Sequence, residues 1–231
     1  MKISIIIPVY NEIETIKKII EEVYAADLGA EGIEREVIVV DDASDDGTRD
    51  IIRNLDKPNL KKVFHEYNRG KGAAVSSGLK EAEGDIIIIQ DADLEYPPRD
   101  NFKILLEPII KGYADVVYGS RFLGVHRVFM FWHYLANKFL ILLTNLLYNT
   151  MLSDMETGAK AFKTEVIKAI TITSQKFNIE PEITAKVFKK GYKVQEVPIV
   201  YCGRTYKEGK KIGFLDFIEA VWALIKYRFV D

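Results

Sequence analysis

A chain of 231 residues, 48% hydrophobic and 29% charged, is long enough for one substantial core. Its formal net charge of -2 leaves no electrostatic footprint for nucleic acid, and a single cysteine, Cys202, excludes an internal disulfide framework. That cysteine usage fits a reducing compartment, and the opening "MKISIIIPVYNE" lacks a signal peptide's cleavage region, so a cytoplasmic protein of one domain, 1–231, is expected.

The elements alternate along the chain. "ISIIIPV" (Ile3–Val9) reads as a strand, and Ile13, Ile16, Ile19, Ile20 and Val23 follow at helical spacing. "REVIVV" (Arg35–Val40) is a second strand, then a turn and the helical "TRDIIRNL". "KKVFHEY" is a short third strand, and "GKGAAVSSGLKEAEG" a helix ending at Gly84. "DIIIIQ" (Asp85–Gln90) is a fourth strand, followed by the helical "RDNFKILLEPIIKGY", in which Pro108 predicts a kink or break. "DVVYGS" (Asp115–Ser120) is a fifth strand. Beyond Arg121 the chain is apolar over residues 127–152, but His133, Asn137, Lys138, Asn145 and Asn149 interrupt it, so a membrane-spanning helix is not expected. A helix in "EPEITAKVFKKGY", a strand in "KVQEVPIVY" and a last helix in "FLDFIEAVWALIKYRF" complete the pattern. Unalternating apolar strands separated by helices predict an α/β fold: a Rossmann-like, mostly parallel sheet covered on both faces.

In such sheets ligands bind at the carboxyl ends of the strands. Charged residues collect there. Glu12 follows the first strand, Asp41 and Asp42 the second, Asp91 and Asp93 the fourth, and Arg121 the fifth. Neighbouring carboxylates repel unless a positive charge intervenes. Asp91 and Asp93 flank Ala92 and point to one side of extended chain, which suits Mg²⁺ or Mn²⁺ shared with substrate phosphates. Glu95 continues the spacing as a third candidate ligand, and Asp41 and Asp42 are placed to accept hydrogen bonds from a base or ribose. An isolated D-x-D is common, and "DDASDDGT" with Asp45, Asp46 and Gly47 also suits an ordinary capped turn. The acids at several strand ends together are what a capping role does not require.

Two phosphate motifs are near misses. "GKGAAV" places Val75 where a dinucleotide fingerprint has Gly or Ala, and "GRTYKEGK" has one residue too many between its glycines for a P-loop. Lys71 within "RGKG" could touch a phosphate or simply be a solvated loop lysine. His65, His126 and His133 are too scattered to suggest zinc.

"PVYNE", "VVDDASDDGT", "DADLEYPP" and "GSRF", in that order after four strands, resemble family 2 glycosyltransferases of the GT-A fold. The later "EVPIVYCGRTYKEGKK" is similar to the dolichol-phosphate mannose synthase and polyprenyl-phosphate glycosyltransferase branch. The resemblance implies a nucleotide-sugar-binding half, 1–123, and an acceptor half, 124–231. Pro8, Tyr10, Glu12 and Asp41 would hold the nucleoside. Asp91 and Asp93 would reach metal and diphosphate, and Arg121, Arg204 and Lys210 (or Lys211) would face donor diphosphate or acceptor phosphate. Relatives often carry C-terminal transmembrane helices; none is legible up to Asp231.

The implied reaction is inverting transfer of a sugar from a GDP-mannose- or UDP-glucose-type donor. A saccharide hydroxyl acceptor needs a general base, for which Glu180 and Glu182 are candidates. A polyprenyl phosphate does not, since its second pKa is about 6. The last helix, with Lys226 and Arg228 near its end, could lie in a membrane interface, pack on the catalytic domain or form a dimer. Two rivals remain at this point: a sugar nucleotidyltransferase, against which the glycine-free "PVYNE" argues, and a non-catalytic nucleotide-sugar-binding module, against which intact Asp91, Asp93 and Arg121 argue.

Overall fold

The computed structural model describes residues 1–128, 130–176, 178–205 and 213–230. Its central feature is a sheet of seven described strands in the order β3-β2-β1-β4-β6-β5-β7. These are β1 (Lys2–Val9), β2 (Glu34–Asp41), β3 (Leu60–Phe64), β4 (Ile86–Ile89), β5 (Val116–Ser120), β6 (Lys160–Lys163) and β7 (Val194–Pro198). The helices are α1 (Ile16–Ala25), α2 (Thr48–Asn54), α3 (Lys71–Glu81), α4 (Pro98–Ile110), α5 (Phe131–Tyr148), α6 (Thr164–Lys168), α7 (Ile179–Lys189) and α8 (Phe214–Phe229).

The uninterrupted apolar runs have a direct cause. Ile3, Ile5, Ile7, Ile86 and Ile88 enter one core, while Ile6, Ile87 and Ile89 enter the core on the opposite face. Alternating side chains are therefore all buried, because α1 and α4 cover one face while α3, α5, α7 and α8 contribute to the other. Pro108 does not end α4 at its own position. It lies in the last turn, and the helix continues to Ile110.

β6 was not anticipated. It pairs antiparallel with both β4 and β5, while the other paired strands are parallel. Its four residues, KAFK, carry two lysines and no apolar run. The register sets Lys160 opposite Ile89, so the entering end of β6 lies beside the leaving end of β4. This places the segment just before β6 on the ligand side of the sheet.

α5 and α8 pack together, with Phe139 and Phe217 rings 5.8 Å apart and the Tyr148 hydroxyl donating to the Leu224 carbonyl at 2.6 Å. Phe131, Trp132, Leu142, Leu146, Leu215, Trp222 and Phe229 of these two helices are exposed. Among the described residues no helix is long and apolar enough to cross a membrane.

If β6 is a central strand, Phe162→Ala should cost about 3–5 kcal/mol, since Phe162 is fully buried in the core. Urea unfolding should show a lower midpoint with unchanged slope. A loss below about 1 kcal/mol would mean that the segment packs as a surface loop.

Candidate active site

β1 pairs with β2 on one side and β4 on the other, so the strand order reverses between β1 and β4. Chains leaving those two strands diverge and open a crevice. The crevice has a volume of about 920 Å³ and is lined from the strand tips by Pro8, Tyr10, Glu12, Asp42, Asp91, Ala92, Asp93, Glu95 and Arg121. Lys71, Glu156, Glu180 and Arg204 also face it. Trp132, Leu135, Phe139, Leu140 and Phe217 from α5 and α8 form an apolar wall.

Arg204 provides the countercharge at the acidic end. Its guanidinium lies 3.0 Å from Asp93 Oδ2 and 3.3 Å from both Glu12 oxygens, and its backbone N–H donates to Glu95 Oε1 at 2.7 Å. Glu95 also accepts the Tyr201 hydroxyl at 3.0 Å. Burial pushes the Asp93 carboxyl above its ordinary range, and Asp91 and Glu95 push it further, against the pull of Arg204.

A second chain of charges runs from Asp91. Lys71, at the start of α3, is 2.8 Å from Asp91 and 3.2 Å from Glu180. Glu180 also pairs with Lys160, which is fully buried and caps the Met155 and Thr157 carbonyls. Burial pushes Glu180 upward, but Lys160 and Lys71 outweigh it and hold the carboxyl below the usual range. Lys71 is thus a crevice residue rather than a solvated one. The glycines beside it do not cradle a phosphate. A Cβ on Gly72 would lie 2.0 Å from the Ser174 carbonyl oxygen, and the Gln175 carbonyl takes the Gly72 N–H at 2.7 Å. The end of α3 is capped by protein.

Arg121 is buried and grips Asp154 through two 2.7 Å bonds. Burial lowers its pKa, but Asp154 outweighs this and holds the guanidinium charged. Glu156, two residues on, lines the crevice, and its Oε1 is buried with no hydrogen-bond partner among the described residues. Burial, with Glu180 nearby, pushes its carboxyl up to about 7.

Several expected residues are placed elsewhere. Asp41 is fully buried, does not line the crevice, and accepts from Arg49 Nε at 2.6 Å and from the Ser44 N–H at 3.3 Å. Asp42 reaches the crevice, but its oxygens accept from the Arg69 and Gly70 N–H groups and from His65 Nδ1 at 2.6 Å. Both acids shape loops. Glu182 corrects the expectation of a catalytic base. It is fully buried outside the crevice, and its oxygens accept from Thr173, Ser174 and Lys186. Lys210 and Lys211 lie outside the described residues.

Among the described residues no three His, Cys, Asp or Glu side chains converge as a metal cage. Glu95 accepts from the Tyr201 hydroxyl and the Arg204 backbone N–H, and it does not converge with Asp91 and Asp93 into a three-acid site among the described residues. Asp91 and Asp93 remain a suitable pair: two hard oxygen donors, both lining the crevice, beside which a diphosphate could complete a cation's shell. Burial first, then the neighbouring Asp91 and Glu95, keeps the Asp93 carboxyl above its ordinary range, and a bound cation would oppose that push.

Reasoning from the sequence missed Asp154, Glu156 and Lys160. Their signal was the acid-x-acid step in "SDMETGAK", which precedes a strand instead of following one.

Two outcomes follow for stability. Glu182→Ala strands Lys186 in a buried position and should lower stability by about 3–5 kcal/mol in thermal unfolding. Turnover of the folded fraction should persist, because the side chain does not reach the crevice. Glu156 has a raised folded pKa, so its ionisation opposes folding. The penalty is absent at low pH, grows from about 4.5 to about 7, and is complete above. Glu156→Gln should therefore gain stability relative to wild type across that window; a pH-independent difference would contradict the assignment.

Comparison with known proteins agrees with this architecture. The family model described as "Glycosyl transferase family 2" matches residues 4–171. A dolichol-phosphate mannosyltransferase of Pyrococcus furiosus is 31% identical over 99% of this chain and 65% of its own length. An undecaprenyl-phosphate 4-deoxy-4-formamido-L-arabinose transferase of Edwardsiella ictaluri is 28% identical over 96% of this chain and 66% of its own. The chain thus spans just under two thirds of each of those relatives. Glucosyl-3-phosphoglycerate synthase from Mycobacterium tuberculosis, solved with Mn²⁺, UDP and glucosyl-3-phosphoglycerate, superimposes with a TM-score of 0.75. That match covers 98% of this chain and 79% of the other at 19% identity, and it speaks for the fold alone. With the family model spanning most of the sheet, the chain belongs to glycosyltransferase family 2 and has the GT-A fold.

Proposed function

We propose that the protein is a metal-dependent, inverting glycosyltransferase that moves a sugar from a nucleoside diphosphate sugar to a polyprenyl phosphate. One observation carries this reading: a single crevice combines a charged floor, Asp91, Asp93, Lys71, Arg121 and Arg204, with an apolar wall from α5 and α8. A diphosphate and a lipid phosphate both need the first, and a prenyl chain needs the second. The names of the Pyrococcus and Edwardsiella relatives, which specify polyprenyl-phosphate substrates, support it.

Pro8 and Tyr10 would pack on the nucleoside, and Asp91 and Asp93 would hold Mg²⁺ or Mn²⁺ with the diphosphate. The cation, when bound, supplies positive charge against that developing on the leaving diphosphate. Lys71 and Arg204 add fixed positive charge at the same place. Arg121, locked by Asp154, presents its charge near the apolar wall, where an acceptor phosphate would sit. Glu180 is a weak base because Lys160 and Lys71 hold it low, which suits an acceptor that is already an anion. A saccharide hydroxyl acceptor is the second reading, and the placement of Glu156 in the crevice wall, with its carboxyl pushed upward by burial, is the observation that favours it.

The exposed aromatic and aliphatic side chains of α5 and α8, with Lys226 and Arg228 in the last turn, support peripheral contact with the cytoplasmic face of a membrane.

The deciding experiment measures nucleoside diphosphate release from GDP-mannose and UDP-glucose, with Mg²⁺ or Mn²⁺, with and without a polyprenyl phosphate. Release that needs the lipid phosphate, stops with chelator, and falls at least a hundredfold in Asp91→Asn is expected. Release without the lipid would direct attention to saccharide acceptors, and pyrophosphate release would indicate a nucleotidyltransferase. For the membrane, wild type should float with anionic liposomes and Trp132→Glu/Trp222→Glu should not. Wild type remaining in the soluble fraction would remove the membrane contact.

A further inference from the structure

We propose that Glu156 contacts the sugar of the nucleotide donor and helps select which sugar is transferred. The proposal rests on the donor reading above. Its basis is the order of the strand tips along the crevice. Across the sheet run β2, ending near Asp42, then β1, ending at Pro8 to Glu12, then β4, ending at Asp91 to Asp93. The next strand is β6, whose antiparallel register brings its entering end to this same edge. Adjacent strands are about 4.8 Å apart, roughly the width of one sugar ring. A donor with its nucleoside over β2 and β1 and its diphosphate at β4 therefore delivers its sugar to the mouth of β6.

The segment before β6 is built tightly against the acidic pair. A Cβ on Gly158 would lie 2.3 Å from Asp91 Oδ2, so only glycine fits without displacement. Glu156 is two residues earlier, at most about 7 Å along the chain. It lines the crevice with Oε1 buried and, among the described residues, without a hydrogen-bond partner. Buried polar atoms are rarely left so without a role. The charged groups nearest it are already committed: Arg121 to Asp154, and Lys160 to Glu180. Among the described residues Glu156 is thus a crevice-lining carboxyl with no ion-pair or hydrogen-bond partner. A carboxyl accepts from a hydroxyl when ionised and also donates when protonated, which matches the vicinal hydroxyls of a hexose. With its pKa at about 7, both forms are populated near neutrality.

The test is calorimetric binding of GDP, GDP-mannose, UDP and UDP-glucose, with Mn²⁺, to wild type, Glu156→Ala and Glu156→Gln. For the nucleotide that wild type binds, Glu156→Ala should hold the bare diphosphate within about twofold of wild type. It should bind the sugar nucleotide at least tenfold more weakly, about 1.4 kcal/mol, as expected for a lost buried hydrogen bond. Glu156→Gln, which keeps the shape and can both donate and accept, should recover most of that loss. Unchanged affinity for the sugar nucleotide overturns the proposal, as does an equal loss on both ligands. Unchanged sugar-nucleotide affinity with lost turnover would also overturn it and make Glu156 a general base. Wild type that binds none of the four ligands defeats the donor reading, and the proposal with it. If Glu156→Ala does not fold, Glu156→Asp, which withdraws the carboxyl by one methylene, is read by the same ratio.

Discussion

Like-charge repulsion at the strand tips is the constraint around which this crevice is organised. Parallel topology delivers Glu12, Asp91, Asp93 and Glu95 to one edge, where they would repel one another. The protein offsets this with Arg204 on one side and Lys71 on the other. Each cation touches two or more acids, so neither is a simple surface ion pair. Arg204 draws the segment after β7 over the acids, and Lys71 links the tip of β4 to α7 through Glu180. The shape of the site follows from its charge balance.

The other polar groups lock the walls. Asp42 holds the loop at Arg69 and Gly70, Asp154 fixes Arg121, and Glu182 ties the turn at Thr173 and Ser174 to α7. These carboxylates are buried and hydrogen-bonded, and that bonding offsets the cost of removing them from water. Against this half stands the α5–α8 wall, whose exposed side chains include Phe131, Leu142, Leu146 and Trp222. One half of the crevice is built for charge and the other for hydrocarbon.

What was legible in the sequence depended on which physical signal each element carried. β1, β2 and β4 were visible because burial on both faces demands continuous apolar runs. β6 was not, because its buried Lys160 looks like a surface residue until Glu180 and two carbonyls are seen to surround the ammonium. Asp91 and Asp93 stood out because they follow a strand. Glu156 escaped the same search because an antiparallel strand brings its entering end to that edge. Adjacent or near-adjacent acids could not be sorted. Glu180 and Glu182 lie two residues apart in the first turn of α7, about 200° around the helix, so one faces the crevice and the other the core. Asp41 and Asp42 divide in the same way at the end of β2, with only Asp42 reaching the crevice.

The reach of Arg204 has a consequence for how the molecule is made. Its bonds to Glu12 and Asp93 close loops of 192 and 111 residues. During N-to-C synthesis, the strands bearing the acids emerge long before their counter-ion. A folding intermediate comprising only the first five strands would carry an acidic cluster lacking the Arg204 countercharge, and it would be most sensitive there to salt and to cations in solution. On that route the Arg204 countercharge becomes available to the crevice only once β7, the last described strand, has been made.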